Sequence, residues 1–492
     1  MIASAAKKVR GACPGALRPM ESGDGLIVRV KPRAGTLSLE AVRRIAEVAQ
    51  RCGNGHIDLT RRANLQIRGV KPENLPPLQA ALEALGLLDA TPEAEAVRNI
   101  MTSPLAGADS SEVLDVRPIA RALEDLIASE EMLWRLPGKF GFLVDGGGAL
   151  ALDGERADIR LAACASNGGA AVAVGIDRPG GPSWLGCTTP EAAPLAACNV
   201  ALAFLETQPR ESRARLRDAD SNVERHIRLA LAPFIQPIEC SALKAAPHSA
   251  NRSAHPPPSS RSWRSHASHG RPGSTTPGQS GAETCVDPDL RREDVSKIAH
   301  ELRSNERPPI GELRHEGDVF AVGVAAPFGR VEADMLLGLA DAAAASGASE
   351  LRLSPWRTLY VPVSSAECSD HLLAAGERLG FIVEAGDPLL GIEACAGAPA
   401  CRSAALDTRA AARALAALRS RLSGISSVHV SGCAKGCACS ANADLVLVGQ
   451  GDRYAVVRNA RADGAAETFV GADDVGKLSE MLDALAGASR HG

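Results

Sequence analysis

The chain has 492 residues, 45% hydrophobic, 23% charged and 3% aromatic, with a formal net charge of −4. That length predicts two or three domains, with cores built on Ala, Leu and Val rather than on rings. The near-neutral balance offers no basic field for nucleic acid, and the longest apolar run, 192–205, is too short to span a bilayer and contains Asn199. No apolar stretch follows the charged N-terminus, and the thirteen cysteines are scattered. Reduced thiols in a cytoplasmic protein, with no membrane partner, are therefore expected.

In chain order, 10–20 reads as a Gly/Pro loop. A strand is expected at 26–30. A helix follows at 39–52, with Leu39, Val42, Ile45, Ala49 and Cys52 on one face and Gly53 as its C-terminal cap. A second strand at 56–60 leads into the polar turn Arg61-Arg62-Ala63-Asn64-Leu65-Gln66 and a third strand. The same order returns later at a constant spacing of 294 residues (Gly23 to Gly317), without a gap. Val28 then matches Val322, Val42 Leu336, Gly53 Gly347, Ile57 Leu351 and Leu65 Leu359. So regular a match predicts a duplicated β-α-β half-domain whose copies pair around a pseudo-twofold axis. The second turn, Ser354-Pro355-Trp356-Arg357, has diverged, which predicts one site shared by unequal halves.

Between the copies, 72–92 reads as a helix and linker, and 112–134 has helical periodicity. Strands are expected entering at 136–145 and at 149–152, 159–163 and 170–174, with a helix near 190–206. Residues 241–284 are rich in Ser, Pro, His and Arg and too poor in apolar groups to offset the entropy of ordering, so a disordered insertion is expected. Beyond 386, a helix at 408–422, a strand at 428–430, a hairpin at 445–448 and 454–457 and a closing helix at 475–485 are predicted. The expected domains are thus 10–85 and 310–385 (half-domains), 86–240 and 386–492 (α/β domains), and the 241–284 insertion.

Two cysteine pairs mark the last region. Cys395 and Cys401 are spaced C-x5-C, and Cys433 and Cys437 are spaced C-x3-C. Four thiolates brought together can hold a [4Fe–4S] cube or a zinc ion. The x5 interval does not match zinc knuckles, and the small residues Gly397, Ala398, Gly432 and Gly436 let backbone N–H groups approach sulfur. Three further words place cations at element ends: Arg61 and Arg62 with Asn64, Gln66 and Arg68; Arg98 with Asn99; and Lys139 after Pro137-Gly138. Arginine forks and a mobile lysine suit carboxylates and oxyanions.

The cysteine words resemble the cluster signature of the sulfite and nitrite reductase superfamily, where the fourth cysteine also bridges to the iron of a sirohaem. The resemblance implies an α+β fold: duplicated ferredoxin-like half-domains plus two α/β domains of sulfite-reductase type. It implies a [4Fe–4S] cluster on Cys395, Cys401, Cys433 and Cys437. Arg62, Arg98 and Lys139 would be the catalytic cations, with Arg61, Asn64, Gln66, Arg68 and Asn99 as further substrate ligands. The same words look most like the precorrin-3B synthase branch of aerobic cobalamin biosynthesis. That branch implies precorrin-3A and O2 as substrates, C20 hydroxylation with γ-lactone closure, and a mononuclear non-haem iron whose ligands the sequence does not assign. It also implies an electron donor, an NADH-linked reductase or a ferredoxin. Two residues depart from pattern: Gly141 stands where sirohaem sulfite reductases place a second lysine, and Cys439-Ser440 where the branch is expected to carry His-Pro. The alternatives are a sirohaem-dependent sulfite or nitrite reductase, and a non-catalytic iron–sulfur carrier or zinc scaffold.

Overall fold

Val28 and Val30 flank the outward Arg29, while Val42, Ile45 and Ala49 share the inner face of the helix Leu39–Cys52; all five apolar side chains are buried in one core. Ser38 starts that helix by accepting the N–H of Ala41 at 3.2 Å. These features belong to a computed structural model that describes residues 14–167, 169–209, 212, 214–235, 309–422, 424–439, 441–477 and 480. The insertion expected at 241–284 lies outside these residues. So does most of the helix expected at 475–485, of which only a short helical turn, Ala472–Lys477, is described.

The two repeats each form an antiparallel five-stranded sheet, and each sheet borrows a strand from the other copy. The first runs β1 (Met20–Ser22), β2 (Gly25–Val30), β5 (Leu65–Val70), β4 (His56–Leu59) and β13 (Arg330–Glu332). The second runs β11 (Gly311–His315), β12 (Asp318–Ala325), β15 (Thr358–Pro362), β14 (Glu350–Leu353) and β3 (Thr36–Ser38). Val331 pairs with Ile57 and Leu37 with Leu351, so the exchange is reciprocal. Both copies bury their helices, Leu39–Cys52 and Ala333–Ala345, in one shared core. A left-handed elbow precedes each borrowed strand. Ala34 and Gly35 have φ of 48° and 65°, and Phe328 and Gly329 have 54° and 73°.

The remaining two sheets share a plan. One runs β6 (Ile100–Thr102), β7 (Phe142–Asp145), β8 (Ile159–Ser166), β9 (Gly169–Arg178) and β10 (Gly181–Thr188). The other runs β16 (Ile392–Ala394), β17 (Val428–Ser431), β18 (Ala443–Gln450), β19 (Arg453–Ala460) and β20 (Thr468–Gly471). In each, the first three strands are parallel and the last two antiparallel. Helices Arg117–Ser129 and Ala193–Glu206 cover the first, and Thr408–Ala417 covers the second.

Several expectations are corrected. Residues 149–152 form no strand: Asp109 accepts the Ala149 N–H at 2.6 Å and Asp145 the Leu152 N–H at 2.7 Å, so no ladder partner is needed. The helix predicted within 112–134 spans Arg117–Ser129, and that predicted at 408–422 stops as an α-helix at Ala417. Gly53 caps its helix as expected, its N–H donating to the Ala49 carbonyl at 3.1 Å, with an extended φ of −116°. Glycine stands there because a Cβ would lie 2.4 Å from the Arg68 carbonyl oxygen.

Candidate active site

Cys395 follows β16 directly, and Cys433 follows β17 by one glycine. These strands pair in parallel, so their ends, and both cysteine loops, emerge at the same edge. The Gly432 N–H donates to Cys395 Sγ at 3.2 Å. Thr408 Oγ1 donates to the Cys395 carbonyl at 2.8 Å, and Gly397 (φ 63°) passes so close to Thr408 that a Cβ would meet its Oγ1 at 2.5 Å. Burial pushes the Cys437 thiol up, and Cys433, Cys395 and Cys401 push it further. Like-charged thiolates at such range call for a cationic group between them. Among the described residues no three His, Cys, Asp or Glu side chains are gathered for a single metal ion. A cube makes no such demand, because each thiolate takes its own iron. The four-sulfur donor set, the N–H on Cys395 and the small loop residues fit a [4Fe–4S] cluster. Among the described residues no trio fits the mononuclear iron.

The first half-domain grips the Cys395–Cys401 loop. The Ala400 carbonyl accepts from Ser22 Oγ at 2.6 Å, Gly23 N–H at 3.1 Å and Arg68 Nη2 at 3.0 Å. Gly23 permits this approach: a Cβ would lie 2.4 Å from the Pro399 oxygen. Behind the loop, Asp58 binds Arg330 at 2.7 Å, Arg409 at 3.2 Å and Arg68 at 3.6 Å. Burial alone would raise the Asp58 carboxyl, but Arg409, Arg330 and Arg68 overcome it and hold it at about 2.

A small, open, cation-lined cleft lies at the Arg61–Arg62 turn. Arg62, Lys139, Arg156 and Arg215 line it with Asn99, Ile100, Met101, Gly141 and Ala157. Arg62 Nη2 donates to the Lys139 carbonyl at 3.2 Å. Arg215 is held by the fully buried Asp158, at 2.7 Å for the closest pair. The turn joins cleft to cysteines. Arg61 pairs with Glu393, two residues before Cys395, and Arg357 of the second half-domain takes the other oxygen of Glu393 at 2.6 Å.

Of the expected substrate ligands, Arg62, Lys139 and Asn99 come together at the cleft. Arg98 does not. It is buried, with two contacts to Asp89 (2.7 and 2.8 Å) and one to Glu124 (3.4 Å). Arg68 is likewise committed to Asp24, Asp58 and Ala400. Asn64 is buried in its turn, where its N–H donates to Thr60 Oγ1, and Gln66 pairs with Arg29 and Asp58 within the sheet. The Asn99 amide donates to the Ala96 and Phe140 carbonyls at 3.1 Å each, and its oxygen accepts from Lys31 at 3.0 Å. Burial lowers Lys31 to about 7, with Arg98 and Arg29 acting the same way. Arg156, Arg215 and Glu393 were not singled out in the sequence, and Arg357 was named only as part of the diverged second turn. The Gly154-Glu155-Arg156 turn was a usable signal, whereas Arg215 sits in an arginine-rich stretch that reads as solvated charge.

Residues 18–85 and 312–375 match the nitrite/sulfite reductase ferredoxin-like half domain, and residues 93–222 match the nitrite and sulphite reductase 4Fe-4S domain. The chain belongs to the nitrite and sulfite reductase family, and it is an enzyme with the duplicated α+β fold of that family. Within the family it is 30% identical to a precorrin-3B synthase from Sinorhizobium sp. over 478 residues, 97% of this chain and 88% of that protein. It is 34% identical over 134 residues to a ferredoxin–nitrite reductase from Leptolyngbya laminosa, 26% of each chain. The solved structure of the Mycobacterium tuberculosis NirA protein shares the fold, with a TM-score of 0.64 over 93% of this chain and 80% of that one, at 21% identity. The matched 93–222 segment ends before the cysteine words, so assigning the cluster to Cys395, Cys401, Cys433 and Cys437 rests on the geometry above. No helix among the described residues is long and apolar enough to cross a membrane.

Proposed function

We propose that the chain converts precorrin-3A to precorrin-3B. One atom of O2 enters as a hydroxyl at C20, the ring A acetate closes a γ-lactone on C1, and the other oxygen atom leaves as water. An external reductase or ferredoxin supplies the electron pair, and solvent supplies the protons. The observation that carries this reading is the cation-lined cleft joined to the cysteine loops through Arg61 and Glu393. Full-length similarity to a precorrin-3B synthase supports it.

Cys395, Cys401, Cys433 and Cys437 would hold a [4Fe–4S] cluster, which when bound passes electrons one at a time. This chain's own residues position the substrate. Arg62, Lys139 and Arg156 meet acetate and propionate arms, with Arg215 set by Asp158. The cleft's four cations suit the carboxylate-bearing arms of a substrate. Gly141 leaves the floor without a second lysine, which suits an organic substrate over a small dianion.

Incubation with precorrin-3A under 18O2, followed by mass analysis, tests this reading. Uptake of one label into the tetrapyrrole is expected; an unchanged or unlabelled product overturns it. A second reading, a sirohaem-dependent sulfite or nitrite reductase, draws on the family match. The visible spectrum of anaerobically purified protein separates the two, because sirohaem would show its own Soret and Q bands.

A further inference from the structure

His429 lies in β17, the strand that leads into the Cys433–Cys437 loop, and is 0% exposed. Neither ring nitrogen has a hydrogen-bond partner. An imidazole always carries at least one N–H, and leaving a buried donor unmade costs about 1–3 kcal/mol. Orphans of this kind are rare and ask for a missing partner.

The surroundings narrow what that partner is. The ring's Cε1, the carbon between the two nitrogens, lies 3.6 Å from where a Cβ of Gly436 would stand, and Gly436 immediately precedes Cys437. Across the sheet, His429 is in register with Glu393 on one side and Val446 on the other. Glu393 would be the natural acceptor, but its carboxylate is drawn to Arg61 and Arg357 and makes no hydrogen bond with the ring. Val446 offers no polar atom. Burial lowers the ring's pKa; Glu393 opposes it, and Arg61 and Arg357 add to the lowering. The ring therefore faces the Cys433–Cys437 loop as a donor without an acceptor.

We propose that His429 donates its ring N–H to a sulfur of the iron–sulfur cluster held by that loop, and so helps set the cluster's reduction potential. The proposal rests on the cluster reading given above. A donor on sulfur draws charge from the cluster and stabilises the reduced form. His429 is thus a positioning residue, acting on the redox group rather than on substrate.

The test uses the full-length holoenzyme, reduced and examined by pulsed EPR after 15N-histidine labelling and exchange into D2O. A weak nitrogen coupling and an exchangeable proton coupling are expected, both absent in His429→Leu. The midpoint potential should fall in His429→Leu and be partly restored in His429→Gln, whose amide again offers an N–H. A merely structural ring would behave otherwise: His429→Leu would gain thermal stability and keep the wild-type potential, which overturns the proposal. A strong coupling, showing nitrogen bound directly to iron, overturns it too. Should the leucine variant fail to load iron, the wild-type coupling alone decides. A wild-type protein without iron or sulfide fails the cluster reading itself, whereas a loaded cluster without nitrogen coupling fails only this inference.

Discussion

The sheets β6–β10 and β16–β20 have one topology and two fates. Thr102 pairs with Val144 in the first and Ala394 with Val430 in the second, which puts Ser103 and Cys395 at matching strand ends. The same hydrogen bond closes both. Gly146 N–H donates to Ser103 Oγ at 2.9 Å, and Gly432 N–H donates to Cys395 Sγ at 3.2 Å. Beyond that point they part. Asp145 accepts from Ser103 Oγ and from the N–H groups of Gly147 and Leu152, tying the first loop shut with a carboxylate. Its counterpart Ser431 reaches only the Cys433 carbonyl. One edge spends its polar atoms on itself, and the other carries the two cysteine loops at its end. Topology brings the loops to one edge; the residue at the strand end, serine or cysteine, distinguishes the closed knot from the proposed cluster site.

The half-domains treat these two edges differently as well. At the 294-residue spacing, Asp58 of β4 corresponds to Arg352 of β14. Arg352 is buried and donates to the Ala106 carbonyl at 2.9 Å, just past Ser103. Asp58 instead gathers Arg330, Arg409 and Arg68, and Arg68 holds Ala400 beside Cys401. Opposite charges at one repeated position thus select different partners.

The most drastic way to press the comparison is Cys395→Ser, which copies Ser103 into the second sheet. Gly432 keeps an acceptor, so circular dichroism should change little, while bound iron and broad visible absorption should be lost; full iron retention would break the analogy. Asp145→Ala unties the first loop and leaves several buried donors unpaired. It should cost about 3 kcal/mol in urea unfolding. Asp58→Asn should cost up to about 3 kcal/mol by leaving arginines uncompensated. Its effect depends on pH. The folded carboxyl titrates at about 2 against an ordinary 3.8, so the stabilisation is complete above about pH 4 and is lost as pH falls toward 2. Wild type and variant should therefore converge in urea midpoint over that window. The smallest effect belongs to Arg61→Ala. Its side chain is 54% exposed and Arg357 still holds Glu393, so melting should register under about 1 kcal/mol.

The 294-residue spacing announced both β-α-β copies, because apolar periodicity and glycine positions are local properties that duplication preserves. The cysteine spacing likewise pointed to two loops that parallel strand pairing brings out at one edge. The exchange of β3 and β13 left no such mark: each is three residues long, and its partner strand is hundreds of residues away. Leu150 and Leu152 alternate as a strand would, yet two carboxylates captured the backbone first. The same holds for the cations. Arg98 and Arg62 look alike in the chain, but Arg98 is buried against Asp89 and Glu124, and Arg62 lines the cleft. Charge is written in the residue, whereas its availability depends on which opposite charge folding brings within reach.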